Sequence, residues 1–309
     1  MFRIIGETKI NFIGVRKIAF FVSLALVALG LYAFAMISTG NANMGIDFAG
    51  GVMVKGYFQN EVTIEGLRRS VEAEFPDAQI TQMQGFEKSP YAFIIKTKQP
   101  ETEAEGKQKV NLLKQILTSK FEGNQFEIVS EHIIGPAVGE TLRVDAQKAI
   151  LLSLFGIIVY IWIRFDFRSG IAATIATFHD VLAVMGIFYI FGFEYDLLIV
   201  TALLTLAGYS LTDTVVVFDR IRENLKKFRT KGEFASTVNL SINEVLSRTF
   251  NTSITVIFVV GSLYLIGGDV LRGFSLAMIL GVIVGTYSSI FVASPIVVEW
   301  EARRPLRFK

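Results

Sequence analysis

Cysteine is absent from the sequence. That excludes a disulfide, a thiolate nucleophile and a zinc-cysteine centre, and it leaves the redox compartment open. An excess of charge of either sign is also missing. Thirty Lys and Arg stand against 28 Asp and Glu, and a net charge of +2 gives no basis for a dedicated nucleic-acid binder. What is present is apolar weight. Of the 309 residues 52% are hydrophobic, the mean hydropathy is +0.50, and the apolar residues gather in runs long enough to cross a bilayer, which argues against a soluble globule.

The candidate spans are Ile18–Ile37, Ala149–Ile163, Ile171–Phe191, Leu197–Phe218, Ser253–Ile266 and Phe274–Val298. They predict a multi-pass α-helical membrane protein with six transmembrane helices. The second and fifth are short and need flanking polar residues such as Gln147 or Thr252 to reach across, while the last is long enough to tilt. Arg16 and Lys17 before the first run resemble the start of a signal peptide, but the length of the run and the spans downstream favour an uncleaved helix. Arg3, Lys9, Arg16 and Lys17 precede the first span, and Arg164 and Arg168 separate the second from the third. Arg220, Arg222, Lys226, Lys227, Arg229, Lys231 and Arg248 fall between the fourth and fifth, and Arg303, Arg304, Arg307 and Lys309 end the chain. The opposite loops, GFEYD and GGDVLRG, carry only Arg272. By the positive-inside rule both termini are expected in the cytoplasm.

This divides the chain into a cytoplasmic segment 1–17, a first transmembrane helix within 18–40, a polar extracytoplasmic domain at 41–145, and helices two to six within 146–309 with a cytoplasmic loop at 220–248 and a cytoplasmic tail. In the polar domain GVMVKGYF alternates as a strand, Thr63–Phe75 has helical spacing, AQITQMQGF and YAFIIKT are strand-like around a turn at Ser89-Pro90, the stretch from Glu101 to Phe121 is helical again, and FEIVSEHII closes as a strand. The order βαββαβ predicts a ferredoxin-like sandwich, two helices over one face of a four-stranded sheet. The domain holds no nucleophile-base pair and no metal-ligand spacing, and His132 sits in an alternating strand as a surface or packed residue.

Two carboxylates fall within the spans. Asp213 precedes Arg220 by about two turns, roughly 10 Å below the cytoplasmic edge, and Asp180, with His179 beside it, lies about 15 Å deep on the antiparallel neighbour. Ionisable groups at such depth cost several kcal/mol unless they face the bundle or water, so they read as functional or as hydrogen-bond nodes. Ser210, Thr212 and Thr214 flank Asp213, and Arg248 opens the fifth span ahead of Asn251, Thr252, Ser253 and Thr255. Low dielectric favours a neutral acid and a nearby arginine favours the anion, so a carboxylate with a movable cationic partner suits a proton relay. The final span repeats a small residue at every fourth position, Gly273, Ala277, Gly281, Gly285, Ser289 and Ala293, which predicts a flat face for close packing within the chain or against a partner. Glu233–Leu246 has helical spacing and is expected as an amphipathic helix along the cytoplasmic surface.

These features come with seven stretches in a fixed order: GIDFAGG, IGPAVG, FHD, GYSLTDTVVVFDRIREN, INEVLSRTFNTS, GGDVLRGF and GTYSSIFVASP. Together they resemble the SecF family, membrane subunits of SecDF protein-export complexes and relatives of the RND-type proton-driven exporters. Thr212 and Ala49 stand where the family usually has Asn and Thr. The resemblance implies that Asp213 carries the proton with Arg248 as its switching partner, that a SecD-like chain completes the bundle, and that the outer domain helps secreted chains leave a SecYEG-type translocon. It further implies preprotein substrates, surrounding lipid, no nucleic acid, no cofactor, no metal, no enzymatic activity, and a place in the bacterial cytoplasmic (inner) membrane. The other readings are an RND-like exporter of a small molecule or lipid, a passive scaffold for the translocon, and an intramembrane aspartyl protease using Asp180 and Asp213. The last lacks the glycine-flanked aspartate such enzymes need.

Overall fold

Alternation in the polar segment and long apolar runs elsewhere separate the chain into a small sheet domain and a helical bundle. A computed structural model describes residues 8–83, 89–98, 102–227 and 234–304. In chain order the elements are a 3-10 turn Ile13–Val15, α1 Arg16–Ser38, the short turn α2 Ile46–Ala49, β1 Gly51–Tyr57, α3 Ile64–Glu72, β2 Gln79–Met83, β3 Ala92–Lys98, α4 Glu103–Lys120 and β4 Glu127–Ile134. There follow α5 Pro136–Arg164, α6 Phe167–Ile190, α7 Leu197–Lys227, α8 Phe234–Ile266, α9 Gly268–Ser288, a π-helical segment Ser289–Ala293 and α10 Ser294–Arg303. Six helical stretches are long and apolar enough to cross a membrane, with α9, the π segment and α10 forming the last.

The sheet domain follows the expected βαββαβ order. Its sheet order is β2-β3-β1-β4 with every neighbouring pair antiparallel, as two interleaved split βαβ units produce. Side chains at alternate strand positions, among them Val52, Val54, Phe93 and Ile95, are buried with Leu67 and Val71 of α3 and Leu113 and Leu117 of α4. Thr63 and Thr102 cap these helices by accepting from the amides of Gly66 and Glu105. Ser89 fixes the bend before β3, donating to the Phe58 carbonyl at 2.6 Å and accepting from the Tyr91 amide at 3.0 Å. Strand β2 follows its predicted stretch as far as Met83. Gln84–Phe86, the ends of the chain with Arg3, Arg307 and Lys309, and Glu101, Arg229, Lys231 and Glu233 lie outside the described residues.

Gly51 pairs with Ile134, so the domain leaves and rejoins the bundle at adjacent points. There two of the sequence stretches meet. A Cβ on Gly139 of IGPAVG would lie 3.1 Å from the Gly50 amide and 3.2 Å from the Phe48 carbonyl of GIDFAGG, and Gly50 itself has φ +72°. The loop between α6 and α7 is tied to the same region. Gly45 donates to the Tyr195 carbonyl and Tyr195 to the Asn43 carbonyl, each at 2.8 Å, and Lys96 of β3 pairs with Glu194 at 2.5 Å. Between the open face of the sheet and the adjacent ends of the helices lies a cavity of about 710 Å³, bounded in part by Met53, Ile94, Phe188 and Phe193.

In the bundle α6, α7 and α9 form the buried centre, while α1, α5 and α8 present most of their apolar surface outward, as helices bathed in lipid do. Several expected boundaries are corrected. Helix α5 begins at Pro136, well before Ala149, because proline suits the first turn of a helix; its 29 residues span about 44 Å, more than the hydrocarbon thickness. Helix α7 runs on past Phe218 to Lys227. The amphipathic stretch and the fifth span are one unbroken helix, α8, instead of a surface helix followed by a span. No proline or glycine interrupts it before Gly261, so nothing in the backbone forces a bend. At the helix ends away from the sheet domain Asp219 pairs with Arg164, Glu301 with Arg168, and Glu244 accepts from Arg220 at 2.7 Å.

The tightest crossing was not foreseen. A Cβ on Gly30 of α1 would lie 2.2 Å from the Leu182 carbonyl oxygen of α6, and one on Gly186 would lie 2.8 Å from the Gly30 amide. Gly30→Ala is therefore expected to destabilise the protein by about 1–3 kcal/mol through overpacking. Gly156→Ala in α5, where a Cβ meets nothing within 4 Å, should be neutral or stabilising by up to about 1 kcal/mol; thermal unfolding in detergent compares the two. A second expectation concerns Asp196, which accepts from the Ile199 amide at 2.8 Å. Burial, with the carboxylates of Asp47 and Glu194 adding to it, pushes its pKa up, against the Ile199 amide and Lys96. A raised carboxyl pKa means the folded state disfavours the anion, so the penalty is absent below the unfolded pKa and grows as pH rises through the folded one. Asp196→Asn, which keeps the acceptor, should raise the melting temperature at neutral pH and lose that advantage on acidification toward pH ~4.

Candidate functional site

The polar residues of the bundle gather where α6, α7, α8 and α9 approach one another. Small residues make that approach possible. A Cβ on Gly281 would lie 2.6 Å from Leu206 of α7, one on Gly285 would lie 3.0 Å from Cβ of Ser210, and one on Gly273 would lie 3.3 Å from Ile199. Ala277 and Ser289 of the same row are buried. The flat face therefore packs within the chain, against α7, the alternative that the sequence left undecided.

Asp180 of α6 is completely buried. Its Oδ2 accepts from the hydroxyl of Ser210 on α7 and from that of Ser288 at the end of α9, the latter at 2.7 Å. Its Oδ1 meets Nδ1 of His179 at 2.8 Å. Three groups from three helices thus converge on one carboxyl and engage both of its oxygens where water is excluded. His179 leaves Nε2 buried without a hydrogen-bond partner among the described residues, and its ring lies 6.2 Å from that of Tyr287, tilted by 31°. The Tyr287 hydroxyl in turn donates to the Ala19 carbonyl of α1 at 2.9 Å.

Asp213, next to this cluster on α7, is treated differently. It is only 2% exposed, yet its Oδ2 has no hydrogen-bond partner among the described residues. Ser253 of α8 and Thr286 of α9 face the carboxyl, and their hydroxyls lie 2.6 Å from each other. An uncompensated charge at hydrocarbon depth costs several kcal/mol, so a proton or a cation has to balance this carboxylate. Arg248 lies on α8 with its side chain exposed and makes no ion pair with a described residue. Asp213 and Arg248 are on neighbouring helices but are not brought into contact.

The flanking residues divide. Ser210 serves Asp180, not Asp213. Thr212 points outward and donates to the Gly208 carbonyl at 3.3 Å, and Thr214 donates to the Ser210 carbonyl at 3.4 Å. Thr252 donates to the Arg248 carbonyl at 2.9 Å, while Oδ1 of Asn251 is buried without a partner among the described residues. Sequence reasoning missed Thr286, Tyr287 and Ser288 as site residues. The sign that could have found them is a run of four hydroxyl side chains, Thr286 to Ser289, inside an apolar span. It also missed the π turn that follows. There Ser294 donates to the Ser289 carbonyl at 2.8 Å, and Pro295 has no N–H to give. Among the described residues no group of three or more His, Cys, Asp or Glu is placed to hold a metal ion.

With this geometry in view, comparison with known proteins gives consistent results. The family profile described as "Protein export membrane protein SecD/SecF, C-terminal" matches residues 113–303. The protein translocase subunit SecF of Thermodesulfovibrio yellowstonii is 48% identical over 302 residues, covering 96% of each chain. The SecDF subunit of Thermus thermophilus is 38% identical over 301 residues, 96% of this chain and 39% of that longer one. The crystal structure of SecDF from Thermus thermophilus, described as a translocon-associated membrane protein, superposes with a TM-score of 0.79 at 37% identity, over 96% of this chain and 39% of that one. The chain is a multi-pass membrane protein that belongs to the SecF family of protein translocase subunits.

Proposed function

We propose that this chain works with a SecD-like partner as the SecF-type subunit of the Sec export machinery and that it spends the proton or sodium motive force on late steps of preprotein translocation. The SecD-like partner is supported by the longer SecDF relatives, in which a region like this chain makes up 39% of a single polypeptide. In this reading the membrane is the bacterial cytoplasmic (inner) membrane, both termini and the loop at 220–248 are cytoplasmic, and the domain at 41–145 faces outward beside a SecYEG-type translocon, among lipids. The role is transport, with no catalytic step.

The observation that carries the ion-coupled reading is the unpartnered Oδ2 of Asp213 inside the bundle. Asp180, by contrast, has both of its oxygens engaged. Asp213 then takes up the ion, and Arg248, on the next helix and in no ion pair with a described residue, approaches it in the other state of the cycle. Ser253 and Thr286 hold the carboxyl in place. His179 and Asp180 form a second, hydrogen-bonded station of the relay. One charge moved across the membrane releases about 2.3 kcal/mol per 100 mV, enough to bias two conformations severalfold or more. The scaffold reading makes a different demand, since it would leave Asp213 replaceable.

In vesicles containing the chain and its SecD-like partner, Asp213→Asn should abolish gradient-driven ion uptake while the complex still assembles; uptake equal to the native rate would favour the scaffold. Stability should discriminate the two carboxylates. Asp180→Asn disturbs three converging partners and is expected to cost about 1–3 kcal/mol in thermal unfolding, whereas Asp213→Asn, with no partner to lose at Oδ2, should shift stability by less than about 1 kcal/mol.

A further inference from the structure

Before α1 the chain runs as an extended strap along the cytoplasmic part of α8. Two asparagines of α8, one turn apart, meet its backbone. Oδ1 of Asn243 accepts from the Thr8 hydroxyl at 2.7 Å and from the Ile10 amide at 2.9 Å. Oδ1 of Asn239 accepts from the amides of Phe12 at 2.8 Å and Ile13 at 3.3 Å. Both Nδ2 groups donate to the Ile10 carbonyl, at 3.0 Å from Asn239 and 2.9 Å from Asn243. An extended segment has no internal partners for its peptide groups, and the first amides of a helical turn are left open by geometry. An asparagine amide offers both an acceptor and two donors, so a pair of them can serve such a segment completely. Apolar side chains complete the clamp, because Phe12 and Ile13 are buried in the same cluster as Val238 and Ile242 of α8.

The same helix carries Arg248. Because α8 is unbroken from Phe234 to Ile266, Asn239, Asn243 and Arg248 ride on one rod. The strap leads through the turn at Ile13–Val15 straight into α1, and beyond the far end of α1 lies the Met44–Tyr195 bridge at the outer domain. We propose that Asn239 and Asn243 are positioning residues that lock the N-terminal strap to the Arg248-bearing helix, so that ion-driven displacement of α8 is delivered to α1 and from there to the outer domain. This rests on the ion-coupled reading above.

The test separates ion flow from its use. In vesicles holding the chain, its SecD-like partner and the translocon, ion uptake and gradient-stimulated export of a preprotein are measured on the same preparation. Asn239→Ala/Asn243→Ala should keep uptake within about twofold of native while export per ion falls about fivefold or more. Since the chain has no cysteine, Thr8→Cys/Asn243→Cys paired with a cysteine-free partner can be joined by a short bismaleimide; joining should restore the export-to-uptake ratio that the unjoined variant has lost. Should the double alanine variant fail to assemble, Asn243→Asp, which keeps the acceptor for Thr8 and Ile10 and loses the donor to the Ile10 carbonyl, is read in the same way. A native ratio in these variants, a parallel fall of uptake and export, or no recovery on joining overturns the assignment. If the unsubstituted complex takes up no ions at all, the failure lies with the ion-coupled reading instead.

Discussion

The close approach of α9 to α7 is the contact on which the interior depends. A bilayer offers no hydrophobic gain for pressing two apolar helices together, so close packing and polar contacts have to hold them. Where Gly281 meets Leu206 and Gly285 meets Ser210, the row without bulky side chains lets the backbones close up. That closeness places the hydroxyls of Thr286 and Ser288 within reach of groups on the other helices. A larger residue at either glycine would move the hydroxyls as well as the helix.

Two carboxylates of similar depth consequently meet opposite surroundings. Asp180 collects hydrogen-bond partners from α6, α7 and α9 and ties those helices together. Asp213, three residues after Ser210 on α7, keeps one oxygen bare among the described residues. Buried polar networks are stiff when complete and responsive when incomplete. The bundle contains one of each kind, with α7 contributing to both, so a rigid seam borders a site whose charge needs an outside partner.

Hydropathy located the six spans because each carries enough apolar residues to be seen, and alternation gave the strand and helix order of the sheet domain for the same reason. The parts of α5, α7 and α8 that protrude beyond the apolar runs were misjudged, since a helix leaving the bilayer becomes polar without ceasing to be a helix. Depth singled out Asp213 and Asp180. Their environments could not be read from neighbours in sequence, because Ser288 and Thr286 approach from a helix more than seventy positions away along the chain. Gly30 and Gly186 were invisible for a simpler reason: each is isolated, and only the crossing of α1 with α6 shows why it lacks a side chain. The asparagines of α8 looked like ordinary polar positions of an amphipathic stretch.

The π segment Ser289–Ala293, directly after Ser288, holds one residue more than an α-helix would in the same turns. Such a surplus behaves like a dislocation in a crystal row. Handing it on by one position exchanges a single hydrogen bond, yet every residue it passes turns by about 100° around the axis. A helix built this way can present a different row of side chains to α6 and α7 without ever coming apart.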